Sequence, residues 1–411
     1  MVTIVLLGTL DTKGKEYEFV RDLIMAEGCK VIIVDAGVLG SPQMKADITR
    51  EQVAQASGID VNTLIAKKDR GFAIEQMCKG AAEIVQKLHS DDKLHGILAL
   101  GGSGGSSIAT YAMRALPIGL PKLMVSTIAS GDTSSYVGQT DITMMYSIVD
   151  IAGINSISER ILTNAAAAVV GMARVSRNRS ADRHFKPLVA VTMFGVTTPC
   201  VNRARARLDE LGYEVVVFHA NGSGGRAMEG LIRDGYFSGV LDLTTTELAD
   251  ELVGGMLSAG KNRLEMAGEL GIPQVVSLGA LDMVNFGPAA TVPSHFQDRT
   301  LYIHNQNVTL MRTTKEECAE LGRIIGEKLN KAFGPVTVFI PLKGVSSIAT
   351  ENEVFYNPEA DQALFEIFMQ TLKTHIQVVV MDTDINDPFF AEAAANKMHE
   401  LIQQSGVLTN E

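Results

Sequence analysis

Short apolar runs alternate along the chain with longer stretches whose apolar positions recur every three or four residues. The runs at 3–7, 30–35, 96–100 and 122–127 are rich in Val, Ile and Leu and do not alternate with polar residues. That pattern fits strands covered on both faces of a parallel sheet. Between the first two runs, Tyr17, Val20, Leu23 and Ile24 recur at helical spacing within 15–26. The opening therefore reads as a βαβ unit. An apolar stretch at 165–175 predicts a helix, and the polar, basic residues 176–183 after it form the best linker in the sequence. The pattern restarts at 187–195. Further strands are expected at 214–219, 239–243, 273–278, 336–341 and 377–381, and helices at 199–211, 315–333 and 387–404. The predicted fold class is α/β. It has two Rossmann-like domains, 1–180 and 187–411, with mainly parallel sheets and an interdomain cleft. A length of 411 residues agrees with two cores rather than one.

Ligands of open parallel sheets sit at the carboxyl ends of the strands, so the polar turns there carry the candidate chemistry. After the first strand comes Gly8-Thr9-Leu10-Asp11-Thr12-Lys13, and after the third Gly102-Ser103-Gly104-Gly105-Ser106. Glycines allow close backbone approach, and a following helix offers unpaired N–H groups to a phosphate. Lys13 adds positive charge. Asp35 ends the second strand, where a carboxylate can hold ribose hydroxyls; a helix cap is its alternative role. The fourth strand leads to Ser130, Gly131 and Asp132, and Asp11 or Asp132 can supply an oxygen to Mg²⁺. Neither GxxxxGK[ST] nor a full GxGxxG is present, so a tight strand–helix turn is the competing reading. The segment 136–142 is read as a structured loop, with pocket closure or contact with a partner subunit as the alternative.

The second half repeats the theme. His219 stands at a strand end before Gly222-Ser223-Gly224-Gly225, with Arg226 and Glu229 three residues apart entering the next helix. His can act as acid or base and Arg can clamp an anion. Glu247, after another strand, is either catalytic or a helix start. The two GSGG stretches suggest a distant duplication. Cys200, in the first turn after Thr198-Pro199, has the helix dipole a thiolate would use but no adjacent His motif, so a structural role is favoured.

A formal net charge of −11 argues against duplex nucleic acid or an anionic membrane as partner. The four cysteines form no CxxC pair, so neither a disulfide frame nor a zinc site is suggested. No apolar run has membrane-spanning length, and no signal peptide is recognisable, so a cytoplasmic protein is expected; a homo-oligomer is expected separately.

The segments Gly8-Thr9-Leu10-Asp11-Thr12-Lys13 with Glu16, the Gly/Ser turn at 101–105, Gly195-Val196-Thr197-Thr198-Pro199-Cys200 and 219–225 together resemble a known family. It is the family of uncharacterised proteins that includes the ATP-binding N-terminal half of the tomato mosaic virus resistance protein. The resemblance spans nearly the whole chain. It implies two Rossmann-like units and binding of ATP with Mg²⁺, with ATP on Asp11, Thr12, Lys13 and the Gly/Ser turn. The plant protein has a second, barrel-type half, and the resemblance implies that a separate barrel-type protein partner can supply that role for this chain. The leading expectation is an ATP-binding enzyme that holds phosphates on the first domain. His219, Arg226 and Glu247 would then face a small acidic substrate in the cleft. The alternatives are a non-catalytic nucleotide-sensing or partner-binding module, and a nucleotide-free enzyme of small organic acids.

Overall fold

In the computed structural model the structure describes residues 1–179 and 186–406, and the chain divides into two compact units, Met1–His184 and Phe185–Glu411. The strands of the first unit are β1 (Thr3–Gly8), β2 (Lys30–Asp35), β3 (Gly96–Gly101), β4 (Lys122–Ser126) and β5 (Thr143–Tyr146). They form one sheet in the order β2-β1-β3-β4-β5, parallel throughout. The apolar runs do not alternate because both faces are covered. Val5 and Leu7 enter one core, under the helices Arg70–Ser90 and Ser103–Arg114. Ile4 and Leu6 enter the other, under Leu10–Ala26 and Ser156–Arg179. Each fully buried Val, Leu or Ile here contributes roughly 1.5–3 kcal/mol.

The second unit carries β6 (Leu188–Met193), β7 (Glu214–His219), β8 (Gly239–Asp242), β9 (Gln274–Ser277), β10 (Met283–Phe286), β11 (Leu301–Asn305), β12 (Val308–Arg312), β13 (Val336–Pro341) and β14 (Gln377–Met381). Its main sheet runs β14-β13-β9-β8-β6-β7, again parallel. Counted from the second strand of each unit, the two sheets start in the same order, second-first-third-fourth. A three-stranded antiparallel sheet, β10-β12-β11, is absent from the sequence expectation. Its strands are short and interrupted by polar residues, which read as loop. The edge strand β5 is absent from it too, because its half-exposed Thr-Met-Met-Tyr lacks the β-branched run of its neighbours.

The expected linker is only partly a linker. Residues 176–179 complete the helix Ser156–Arg179, and 180–183 lie outside the described residues. The last helix, Pro388–Ser405, packs within the second unit, where Arg207 Nε donates to Asn396 Oδ1 at 2.8 Å and the Tyr213 hydroxyl meets His399 Nδ1 at 2.8 Å. Among the described residues no helix is long and apolar enough to cross a membrane.

Candidate functional site

In the first sheet β1 lies between β2 and β3. The chain leaves β1 towards β2 on one side and leaves β3 towards β4 on the other. The two connections therefore diverge and open a crevice. A tyrosine closes its floor. The Tyr17 hydroxyl accepts from Leu100 N at 2.7 Å and donates to Leu7 O at 2.6 Å, stitching the ends of the two central strands. Gly8 must be glycine for the same reason, since a Cβ there would lie 2.0 Å from the Tyr17 ring. Burial raises the Tyr17 pKa well beyond the usual phenol range, so the hydroxyl keeps its proton.

Above this floor stands the helix Ser103–Arg114, capped by Gly102 without any side-chain bond. Ser106 is the first residue to reach back, from its N–H to Gly102 O at 2.9 Å. The N–H groups of Ser103, Gly104 and Gly105 therefore have no intrahelical acceptor. These residues line a cavity of about 610 Å³. Thr9, Asp11, Thr12, Lys13, Lys68 and Arg70 line it too, together with Val38, Leu39, Leu64, Ile65, Ile74 and Met77. The lining is thus amphiphilic, with amides, hydroxyls and cations interleaved with aliphatic side chains: Ile74 stands beside Arg70 over Gly104, and Leu39 N bonds Asp11.

Lys68 and Arg70 come from helices inserted between β2 and β3. The helix Val61–Lys67 ends at Lys68, which takes a left-handed conformation, φ 52°. Asp69 then caps the helix Arg70–Ser90 by accepting from Phe72 N at 3.0 Å. This turn brings Arg70 over the Gly/Ser helix, where a Cβ on Gly104 would sit 3.4 Å from Arg70 Nη2. Sequence reasoning misses both residues. The run Lys67-Lys68-Asp69-Arg70 is the available signal, but it follows a helix and not a strand.

The other expected residues divide. Asp11, Thr12, Lys13, Gly102, Ser103, Gly104 and Gly105 all line the cavity. Asp11 Oδ2 accepts from Leu39 N at 2.7 Å and Gly40 N at 3.0 Å, while its buried Oδ1 has no partner. Lys13 Nζ donates to Ile151 O at 2.5 Å. Asp35 turns into the protein, where Oδ1 accepts from Leu10 N at 3.1 Å and Gly37 N at 2.9 Å. It caps the turn, burial raises its pKa, and it does not line the cavity. Ser106 also points inward, its Oγ 2.7 Å from Ser126 Oγ. Ser130, Gly131 and Asp132 form an exposed turn outside the cavity lining, with Asp132 Oδ1 accepting from Ser134 N at 2.9 Å. Asp11 and Asp132 are therefore not joint cavity residues. Among the described residues no group of three or more His, Cys, Asp and Glu side chains is placed to hold a metal ion.

In the second unit the GSGG turn already holds an anion. Glu247 Oε1 accepts from Gly222 N at 2.6 Å and Gly225 N at 3.1 Å, and its Oε2 accepts from Arg263 Nε at 2.7 Å. Arg263 also forks onto Asp242 at 2.5 and 2.8 Å, and Asp242 accepts from Thr192 Oγ1 at 2.7 Å. Burial alone pulls the Arg263 pKa down, but Asp242, Glu247 and Glu229 outweigh it and hold the guanidinium charged. Glu247, Asp242 and Arg263 are all buried. Glu247 was expected to face a substrate, but its oxygens are committed to the fold. His219 is exposed, its ring edge-on to Phe194 at 5.3 Å, and Arg226 donates to Ser258 O at 2.7 Å. The exposed His219 and the buried Glu247 do not share a solvent-facing surface. Cys200 is fully buried, which pushes its thiol pKa up, away from a nucleophile's.

Comparison with known proteins agrees with the two-unit division. The model of the uncharacterised protein family (UPF0261) N-terminal domain matches residues 2–178, and that of its C-terminal domain residues 186–402. A UPF0261 protein of Clostridium tetani is 56% identical over 402 residues, covering 98% of this chain and 99% of that one. The ToMV susceptible protein tm-1(GCR26) of Solanum lycopersicum is 41% identical over 424 residues, covering 97% of this chain but 56% of the tomato protein. Among solved structures, a UDP-N-acetylglucosamine 2-epimerase from Rickettsia bellii matches across 100% of both chains at 9% identity and a TM-score of 0.25, too loose a superposition to bear on the chemistry. Two domain models in order and a relative identical at more than half its positions place this chain in the UPF0261 family.

Proposed function

We propose that the first unit binds a phosphate-bearing small molecule, with ATP as the first candidate. The observation that supports this reading is the amphiphilic cavity. Its lining combines helix N–H groups, glycines without side chains and the cations Lys13, Lys68 and Arg70. The aliphatic side chains in the same lining suit the face of a base. Phosphate at a helix N-terminus gains from both the free amides and the dipole. Mg²⁺ fits with one protein oxygen, the unpartnered Oδ1 of Asp11, since Mg²⁺ takes most of its ligands from phosphate and water. Bound there, it would offset phosphate charge that the three cations leave uncompensated.

The reading is one of binding and not of turnover. The residues first assigned to catalysis in the second unit are dispersed, and Glu247 is committed internally. A nucleotide-sensing module fits this arrangement better than an enzyme acting on an acidic substrate. Titration calorimetry with Mg-ATP tests the reading. Saturable binding that Ser103→Asp abolishes is expected, because a carboxylate at that helix start repels phosphate. No heat at millimolar nucleotide removes it.

A further inference from the structure

Residues 147–155 join β5 to the helix Ser156–Arg179, and they are tied to the cavity's own elements. Ser147 N donates to Ser126 O at 3.2 Å, and Ser126 Oγ is the partner of Ser106 Oγ at the start of the Gly/Ser helix. Farther along, the Ile151 carbonyl accepts from Lys13 Nζ at 2.5 Å, and Gly153 N donates to Glu16 Oε1. Lys13 and Glu16 both stand on the helix Leu10–Ala26, whose first turn lines the cavity.

Between these ties the backbone is strained. Ile148 has φ 63°, a left-handed conformation that a β-branched residue rarely adopts. It is 60% exposed, so burial of its side chain does not compensate. Ile154 and Ile157 are exposed as well, while Ile151 is buried. The strap is therefore held by its polar ties and by Ile151, against local strain.

Lys13 is the tie that a ligand can compete for. Its backbone departs from the helix, φ −134° and ψ 23°, and the residue lines the cavity while its ammonium rests on a neutral carbonyl. An ammonium binds phosphate more strongly than it binds a carbonyl oxygen. We propose that Lys13 is a ligand-sensing residue that exchanges the Ile151 carbonyl for a phosphate of the bound nucleotide, and that this exchange slackens the strap 147–155. The inference rests on the nucleotide reading and adds a consequence for a surface that the ligand does not touch.

Hydrogen–deuterium exchange of the full chain tests it, with calorimetry run in parallel. Ligand binding slows exchange generally by mass action, so local acceleration is a distinctive signal. Saturating Mg-ATP is expected to speed exchange within 148–154 by about tenfold, the factor for one charge-assisted hydrogen bond of roughly 1.4 kcal/mol. Lys13→Met without ligand should show the same acceleration, confined to that segment, and Lys13→Arg should stay near wild type. Heat of binding with unchanged or slower exchange at 148–154 overturns the inference and leaves the nucleotide reading standing. Absence of heat removes both. An unchanged strap in well-folded Lys13→Met shows that the tie carries no restraint and also overturns the inference.

Discussion

The two GSGG turns share four residues and differ in what surrounds them. At the third position a Cβ on Gly104 would have the tip of Arg70 as its nearest neighbour, at 3.4 Å, whereas on Gly224 it would lie 2.0 Å from the His219 carbonyl. At the fourth, Gly105 has its nearest neighbour at 3.6 Å, while Gly225 has the Glu247 carboxylate at 2.2 Å. The first turn leaves its amides at a cavity; the second folds its amides onto the chain's own carboxylate. Their places in the sheets differ too. Gly102–Gly105 comes after the third strand of its unit, but Gly222–Gly225 comes after the second. The third strand of the second unit leads instead into the turn that carries Glu247. A short motif therefore does not by itself distinguish a turn that lines a cavity from one folded onto the chain's own carboxylate.

Glu247→Ala gives the largest expected effect. It leaves the Arg263 Nε and two amides without an acceptor in the core, although Asp242 still pairs the rest of the guanidinium, and loss of one partner from a buried ion pair costs up to roughly 3–5 kcal/mol. Urea denaturation reads the loss, and formate should restore part of it by occupying the vacated turn. No rescue and a cost under ~1 kcal/mol would dissolve the contrast between the turns. Arg70→Ala should weaken Mg-ATP binding about tenfold to a hundredfold, the range for a hydrogen bond to a charged group, while leaving thermal stability nearly unchanged. Equal affinity would remove the helical insertion from the site. Gly224→Ala should destabilise by roughly 1–3 kcal/mol through overpacking. Gly104→Ala should be neutral or stabilising by up to about 1 kcal/mol, because alanine suits a helix better. Matching thermal melts for the pair would break the comparison.

The remaining effect is in pH. Asp250, one turn beyond Glu247 on the same helix, accepts from both the backbone and side chain of Asn285, yet burial pushes its pKa up to about 7. The folded state then binds a proton that the unfolded state has lost, between about pH 4 and 7. Stability must fall as pH rises through that window, by up to ~1.4 kcal/mol per unit. Asp250→Asn should flatten this part of the stability profile, measured by denaturation at stepped pH. An unaltered slope would assign the effect to other groups.

Most of the parallel framework was legible in the sequence, because a strand buried on both faces has to be a continuous apolar run. Residues 336–341, buried throughout, were bounded correctly for that reason; the edge strands 30–35 and 377–381 were bounded correctly from their β-branched runs, although they are only partly covered. That the Asp11-Thr12-Lys13 turn and the Gly/Ser turn share a cavity was legible from their places at strand ends. Lys68 and Arg70 were not, since they reach the cavity from an insertion that the rule ignores. Glu247 and Asp35 were misplaced for a shared reason. A carboxylate after a strand looks alike whether it faces solvent or the chain's own amides, and sequence spacing does not say which amides are free.

Tyr17 has a mechanical consequence. One hydroxyl locks the ends of β1 and β3 together, so the cavity's two glycine-bearing loops form a fixed jaw. The facing jaw is the inserted turn with Lys68 and Arg70, which is anchored to the sheet through helices. Any widening or narrowing of the opening then falls to the side that carries Lys68 and Arg70.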